Sequence, residues 1–132
     1  MKKLGFILLT LILSVSFAAA QNNNGKKVAK PVFTKTVHDF GKVNESAGSV
    51  TCEFKFKNTG TAPFIIQRVQ ASCGCTTPEY SNTPILPGKE GVIKVSYSTT
   101  GRPGTFNKRI TVFSNVPDEV FTLTVKGEVL KK

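Results

Sequence analysis

The stretch Ala71-Ser-Cys-Gly-Cys-Thr-Thr-Pro-Glu-Tyr80 places two thiols on either side of one glycine, in a chain whose remaining cysteine is Cys52. Thiols at that spacing open three chemistries: a disulfide, thiol exchange, or capture of a soft ion such as Cu(I). His38 adds an imidazole, so Cys73, Cys75 and His38 are the candidate metal ligands and copper is the ion they would take. Several features weigh against this reading. Structural zinc needs four ligands at C-x2-4-C type spacings, the redox spacing C-x-x-C is absent, and the single methionine is Met1. The expectation is therefore no cofactor, with a thiol-redox or copper-binding protein centred on Cys-Gly-Cys as the alternative.

Three cysteines allow three single pairings, Cys52 with Cys73, Cys52 with Cys75, or Cys73 with Cys75, and the sequence does not choose among them. On an extended strand, Cys73 and Cys75 would have Cα atoms about 6.5 to 7 Å apart, at the limit of disulfide geometry. A bond there requires Gly74 to bend the chain. A Cys52 to Cys73 bridge would close a loop of about twenty residues and stabilise the fold by about 3 kcal/mol, provided the two strands face each other.

His38-Asp39 is the one His-carboxylate neighbour pair. A hydrolytic site would need a nucleophile beside it, and the chain has no G-x-S-x-G elbow and no carboxylate cluster. No catalytic residue is expected, and the pair reads as a strand entry whose side chains bond local backbone. The formal charge of +10 suggests an anionic partner or ordinary solvated strand faces. Lys108 and Arg109, with Arg102 in the preceding turn, are the candidate basic patch.

Those side chains must be carried by elements that the pattern makes legible. Met1-Lys2-Lys3, the apolar run to Phe17 and Ala18-Ala19-Ala20 form a signal-peptide layout, with cleavage expected before Gln21. No lipidated cysteine and no apolar C-terminal tail accompany it, so no stable membrane anchor is expected after cleavage. The protein is then exported, periplasmic or secreted, and nucleic acid is not its partner. Residues 21–30 are polar and aperiodic, which predicts a flexible leader. Residues 31–132 form the domain. Removing Lys2 and Lys3 leaves 16 basic against 8 acidic residues, a net charge of +8.

From Pro31 onward the apolar residues repeat every second position between turn residues. Val50, Cys52, Phe54 and Phe56 share one strand face while Thr51, Glu53, Lys55 and Lys57 share the other. Phe64 and Ile66 run in one phase and Val69, Ala71 and Cys73 in the other, which requires a bulge near Gln67-Arg68. Ile93, Val95 and Tyr97, then Phe106, Ile110 and Val112, then Phe121, Leu123 and Val125 supply further inward rows. Early strands are expected in Val32 to Val37 and near Phe40 to Val43. The total is seven or eight, an all-β, immunoglobulin-like sandwich.

The motifs HDFGKV (38–43), FKFKNTG (54–60), SCGCTTP (72–78), PGKEGVIKVSY (87–97) and GTFNKRITVFSN (104–115) occur in this order. Together they resemble the bacterial domain-of-unknown-function family numbered 1573, similar in turn to immunoglobulin-like domains of the Hydin and major-sperm-protein type. The resemblance covers His38 to Gly127 and matches at Cys73 and Cys75. It implies a small, exported, non-catalytic sandwich without an assigned biochemical role. The functional expectation is a protein-interaction or structural module whose partner is an envelope or cell-surface protein.

Overall fold

The strict alternation over Ser49–Asn58 allows this segment to bury one face only, and Cys52, Phe54 and Phe56 take it while Thr51, Glu53, Lys55 and Lys57 stay exposed. The same logic builds seven other strands in the computed structural model, which describes residues 25–132. The expected signal peptide, residues 1–20, and the leader up to residue 24 lie outside the described residues.

The strands are β1 (Pro31–Phe33), β2 (Val37–Asn44), β3 (Ser49–Asn58), β4 (Ile66–Ala71), β5 (Thr76–Glu79), β6 (Glu90–Ser98), β7 (Gly104–Ser114) and β8 (Val120–Leu130). They form two four-stranded sheets, β1-β3-β6-β5 and β2-β8-β7-β4. Every pairing is antiparallel except β2 on β8. The result is an immunoglobulin-like sandwich of eight strands. The early strand expected over Val32 to Val37 is divided, with β1 in one sheet and β2 in the other. The irregularity expected near Gln67-Arg68 falls between Ile66 and Arg68. β5 was not foreseen, and its Pro78 is tolerated because β5 is an edge strand.

The core between the sheets is continuous. Phe54, Phe64, Ile93, Val95, Ile110, Val112, Leu123 and Val125 are fully enclosed. Four phenylalanines link the layers: Phe33 and Phe56 lie 5.2 Å apart, Phe56 and Phe64 5.3 Å, and Phe121 lies 6.0 Å from Phe33 and 6.1 Å from Phe64. Such tilted and edge-on pairs add attraction beyond the area that they bury. Towards one end a second cluster forms around Cys75, Tyr97, Phe106 and Val129, in which the Tyr97 and Phe106 rings stack at 3.8 Å.

Asn58 reads in the sequence as a turn residue, yet it is fully buried at the end of β3. Its Oδ1 accepts from the N–H groups of Lys30 (3.2 Å) and Gly60 (3.0 Å), and its Nδ2 donates to the carbonyls of Ala62 and Ile85, both at 2.8 Å. A carboxamide has two donors and an acceptor oxygen with two lone pairs, so this side chain is saturated. It holds three segments together: the entry to β1, the turn after β3, and the long connection before β6.

Val28 to Lys30, expected to belong to the flexible leader, are instead docked. Val28 O accepts from Thr61 N (2.8 Å) and Ala62 N (3.2 Å), Lys30 O accepts from Thr59 N (2.8 Å), and Ala29 is buried. Gly60 permits this approach, because a Cβ there would meet Val28 O and would stand 2.5 Å from Lys30 N.

Replacing Asn58 by Ala removes the side-chain partners of two part-buried N–H groups and two carbonyls. It should destabilise the domain by roughly 3 to 5 kcal/mol, read as a lower urea midpoint. Amide exchange at Lys30 and Gly60 should accelerate before exchange in the β7–β8 ladder does.

Candidate functional site

The two cysteines of interest lie where the chain changes sheets. β4 closes one edge of its sheet, the residues Ser72 to Cys75 turn, and β5 begins at the edge of the opposite sheet. Ser72 N donates to Arg109 O at 2.9 Å, Thr76 N to Cys73 O at 3.3 Å, and Ser98 N to Cys75 O at 2.8 Å, so both flanks of the turn are pinned to neighbouring strands. The chain is therefore not extended at Gly74, and the Cα atoms of Cys73 and Cys75 approach to 5.3 Å. A disulfide joins them. The bend that the sequence reading required is supplied by the sheet crossover. So short a loop limits the entropic benefit to roughly 1 to 2 kcal/mol on the chain-entropy argument.

Cys52 does not reach them. It sits in the middle of β3 opposite Val95 of β6, whereas Thr76, next to Cys75, stands opposite Tyr97 on the far side of β6. Of the three pairings that the sequence left open, the structure forms Cys73 with Cys75, and a strand and a two-residue offset separate Cys52 from them. Cys52 is a buried free thiol whose pKa is pushed up to about 11, chiefly by burial and further by Glu53, against the opposing pull of Lys35. It remains protonated and inert at neutral pH.

The two sulfurs differ in their surroundings. Cys73 is half-buried and Cys75 is buried at 5% exposure. Cys75 N–H donates to Cys73 Sγ at 3.2 Å, and the buried Thr76 hydroxyl lies 3.8 Å from each sulfur.

His38 does not join this group. It lies on β2, at the opposite edge of the sheet that ends in β4, three strand spacings or about 14 Å away. The candidate copper set of Cys73, Cys75 and His38 is therefore not assembled, and the disulfide leaves its sulfurs without thiolates. Among the described residues no three of His, Cys, Asp and Glu converge. His38 packs edge-on against Phe40 (4.5 Å) and its Nδ1 accepts from Lys35 Nζ at 2.7 Å. Burial first, and the Lys35 charge second, lower its pKa below 6.5, against the opposing effect of Asp39. Asp39 Oδ1 accepts from Gly41 N at 2.8 Å, closing the bulge in which Gly41 adopts a φ of 66°. Each member of the His-Asp pair thus serves local structure.

The expected basic patch is also rearranged. Lys108 and Arg109 are successive residues of β7 and face opposite ways. Lys108 occupies the inward row between Phe106 and Ile110, half-buried and opposite Val125, with Arg109 exposed on the outer face. Arg68, which the sequence reading passed over, joins that outer face from β4, its guanidinium 4.1 Å from the centre of the Phe113 ring. A signal for it existed in the phase change at Gln67-Arg68, which turns Arg68 outward. The outward residues of β4 and β7, including Arg68, Gln70, Asn107, Arg109 and Thr111, contain no acid. By contrast, the other sheet's outer face sets Glu53 and Glu79 on either side of Lys94, and Lys57 opposite Glu90. A shallow depression of about 600 Å³ lies over Gly127, open to solvent, with Asp39 and Glu128 among Lys42 and Lys126.

The model of the family described as a protein of unknown function, DUF1573, matches residues 31–129. The chain belongs to this family. None of the curated proteins matches the sequence. Among solved structures, the DUF1573 fold is similar to a protein of unknown function from Porphyromonas gingivalis W83, with TM-score 0.65 and 16% identity. That match covers 77% of this chain and 47% of the Porphyromonas protein, so the chain spans about half of that relative's length. The ASH / PapD-like domain 7 of human CEP192 gives 0.64 at 8% identity, over 80% of this chain and 88% of that domain. The YadV chaperone gives 0.51 at 16% identity, over 77% and 52%. At these identities the likeness is one of fold, that of an immunoglobulin-like sandwich.

Two measurements check these assignments. Proton NMR should show His38 titrating below 6.5, and Lys35→Met should raise its midpoint. Because the unfolded state binds the proton more readily, His38 makes stability fall as pH drops from 6.5 towards the folded-state pKa. In native protein at pH 7.5, Cys52 should resist iodoacetamide and become reactive only in denaturant.

Proposed function

We propose that this protein is an exported, non-enzymatic immunoglobulin-like module that binds an envelope or cell-surface protein by taking an extended segment of it beside β4. The state of the four sheet edges carries this reading. β1 spans three residues and starts at Pro31, β5 contains Pro78, and β2 is bulged between Asp39 and Lys42. Short length, proline and bulges are the devices that stop an edge from recruiting another strand. β4 has none of them from Arg68 to Ala71, where it keeps register with β7.

Ser72 N donates to Arg109 O. By the alternation of an antiparallel ladder, Gln70 also faces β7, and Val69 and Ala71 turn their N–H and C=O groups to the open side. The acid-free outer face formed by Arg68, Gln70 and Arg109 favours a segment with Asp or Glu at alternate positions. The leader pattern of residues 1–20 supports export. The structural roles of His38, Asp39 and Cys52 support a non-enzymatic role, and the likeness to a chaperone and to a PapD-like domain supports the architecture.

A short peptide alternating Glu and Val should protect the amides of Val69 and Ala71 from exchange. Ala71→Pro, which blocks the edge without removing a bond to β7, should abolish that protection with little change in melting temperature. Arg109→Glu should weaken it, and a Lys-Val peptide should not bind. Protection absent with both peptides, together with an Ala71→Pro variant that still captures the same envelope protein as the wild type, would sink the proposal.

A further inference from the structure

We infer that Cys73 and Cys75 are a reversible thiol–disulfide couple, with Cys73 the sulfur that exchanges and thiol-bearing molecules as its substrates. Three observations carry this. The first is access: Cys73 is half-buried and Cys75 is buried, which gives an incoming thiol one sulfur to reach. The second is polar support for a sulfur anion. Cys75 N–H donates to Cys73 Sγ at 3.2 Å, and the Thr76 hydroxyl is 3.8 Å from both sulfurs. Hydrogen-bond donors at the sulfurs are what make a thiolate a competent nucleophile and leaving group.

The third observation is mechanical. The turn is held on both sides independently of the sulfurs, by Ser72 N to Arg109 O, Ser98 N to Cys75 O, and the pairing of Thr76 with Tyr97. Opening the bond therefore frees Gly74 and the two side chains while β4 and β5 stay in their sheets. A disulfide whose loss would unfold the corner could not cycle in the native state.

The exchange balances as follows. A substrate thiolate attacks Cys73 Sγ, the Cys73–Cys75 bond breaks, and its electron pair leaves on Cys75 Sγ, which takes up a proton beside the Thr76 hydroxyl. The product is a mixed disulfide between the substrate and Cys73. A second thiol of the same substrate then attacks the substrate's own sulfur and expels Cys73 as the thiolate. The substrate leaves as a disulfide, and two electrons have passed to the Cys73/Cys75 pair. In reverse, the Cys73 thiolate attacks a substrate disulfide and Cys75 resolves the mixed intermediate. Cys52, buried in the core on β3, is a bystander.

Equilibration of the full chain in mixtures of reduced and oxidised glutathione, quenching with N-ethylmaleimide and intact mass measurement test this. The Cys73–Cys75 bond should open and close while circular dichroism is unchanged and Cys52 is unlabelled. With oxidised glutathione, Cys75→Ser should form a mixed disulfide at Cys73 about tenfold faster than Cys73→Ser does at Cys75. Should Cys75→Ser fail to fold, peptide mapping of the reduced wild type after a brief pulse of oxidised glutathione decides. Adducts concentrated at Cys73 support the couple. A bond that opens only with global unfolding in urea, or equal reactivity of the two sulfurs, overturns it.

Discussion

The sandwich depends on one buried carboxamide. At the end of β3 the chain must turn, receive the entry to β1 and take in the connection from Ile85 to Lys89, and all three bring part-buried backbone polar groups together around one side chain. Asn58 satisfies them with two accepted and two donated side-chain bonds, while its own N–H and C=O pair with Lys89 O (2.9 Å) and Gly88 N (2.7 Å). An apolar side chain of the same volume would keep the packing and orphan those groups, each at a cost of about 1 to 3 kcal/mol. The docked segment Val28 to Lys30, the missing Cβ at Gly60 and the placement of Phe33 on Phe56 all follow from that closure.

The opposite end is closed by a different polar device with the same logic. Thr99, fully buried, donates through Oγ1 to Glu45 O at 3.1 Å, and its N–H reaches Gly48 O at 3.0 Å. The Glu45 carboxylate accepts from Gly101 N at 2.9 Å, binding the turn after β6 to the short 3₁₀ segment Glu45–Ala47. Between the two ends every fully enclosed side chain is apolar. Polar satisfaction is therefore confined to the rims, where loops meet, and the interior is left to dispersion and area burial.

That division explains what the sequence made legible. The inward rows of β3, β6, β7 and β8 follow from alternation, because burial of one sheet face imposes a period of two on residue type whatever the partner strand is. The bulge before Arg68 was readable for the same reason, since a phase change has one geometric remedy. Asn58 was not readable: a buried carboxamide and a turn asparagine look alike until the segments that meet around it are known. Val28 to Lys30 are three residues at the end of a polar, aperiodic stretch, and nothing local reveals that their backbone is used. The cysteine pairing depended on where β6 lies, a fact of sheet order that no strand pattern contains. Lys108 misled for the opposite reason. Its charge suggested the surface, while its position in the row from Phe106 to Ile110 already placed it inward, with its long stem able to cover apolar surface and carry the charge outward.

Sheet order also ties the open edge to the sulfur chemistry. On one side of the sandwich the edges are β1 and β2, joined by Thr34 to Thr36 and blunted by brevity and by a bulge. On the other side the edges are β4 and β5, joined through the four residues Ser72 to Cys75, whose ends are pinned by Ser72 N to Arg109 O and by Ser98 N to Cys75 O whether or not the disulfide is closed. A strand whose end is fastened to the opposite sheet cannot peel away or slip register without moving both layers. From Arg68 onward β4 therefore stays in register with β7 to its last residue. The same fastening brings Cys73 to the end of the uncovered edge, so a segment laid along β4 towards Ala71 arrives at the more accessible of the two sulfurs.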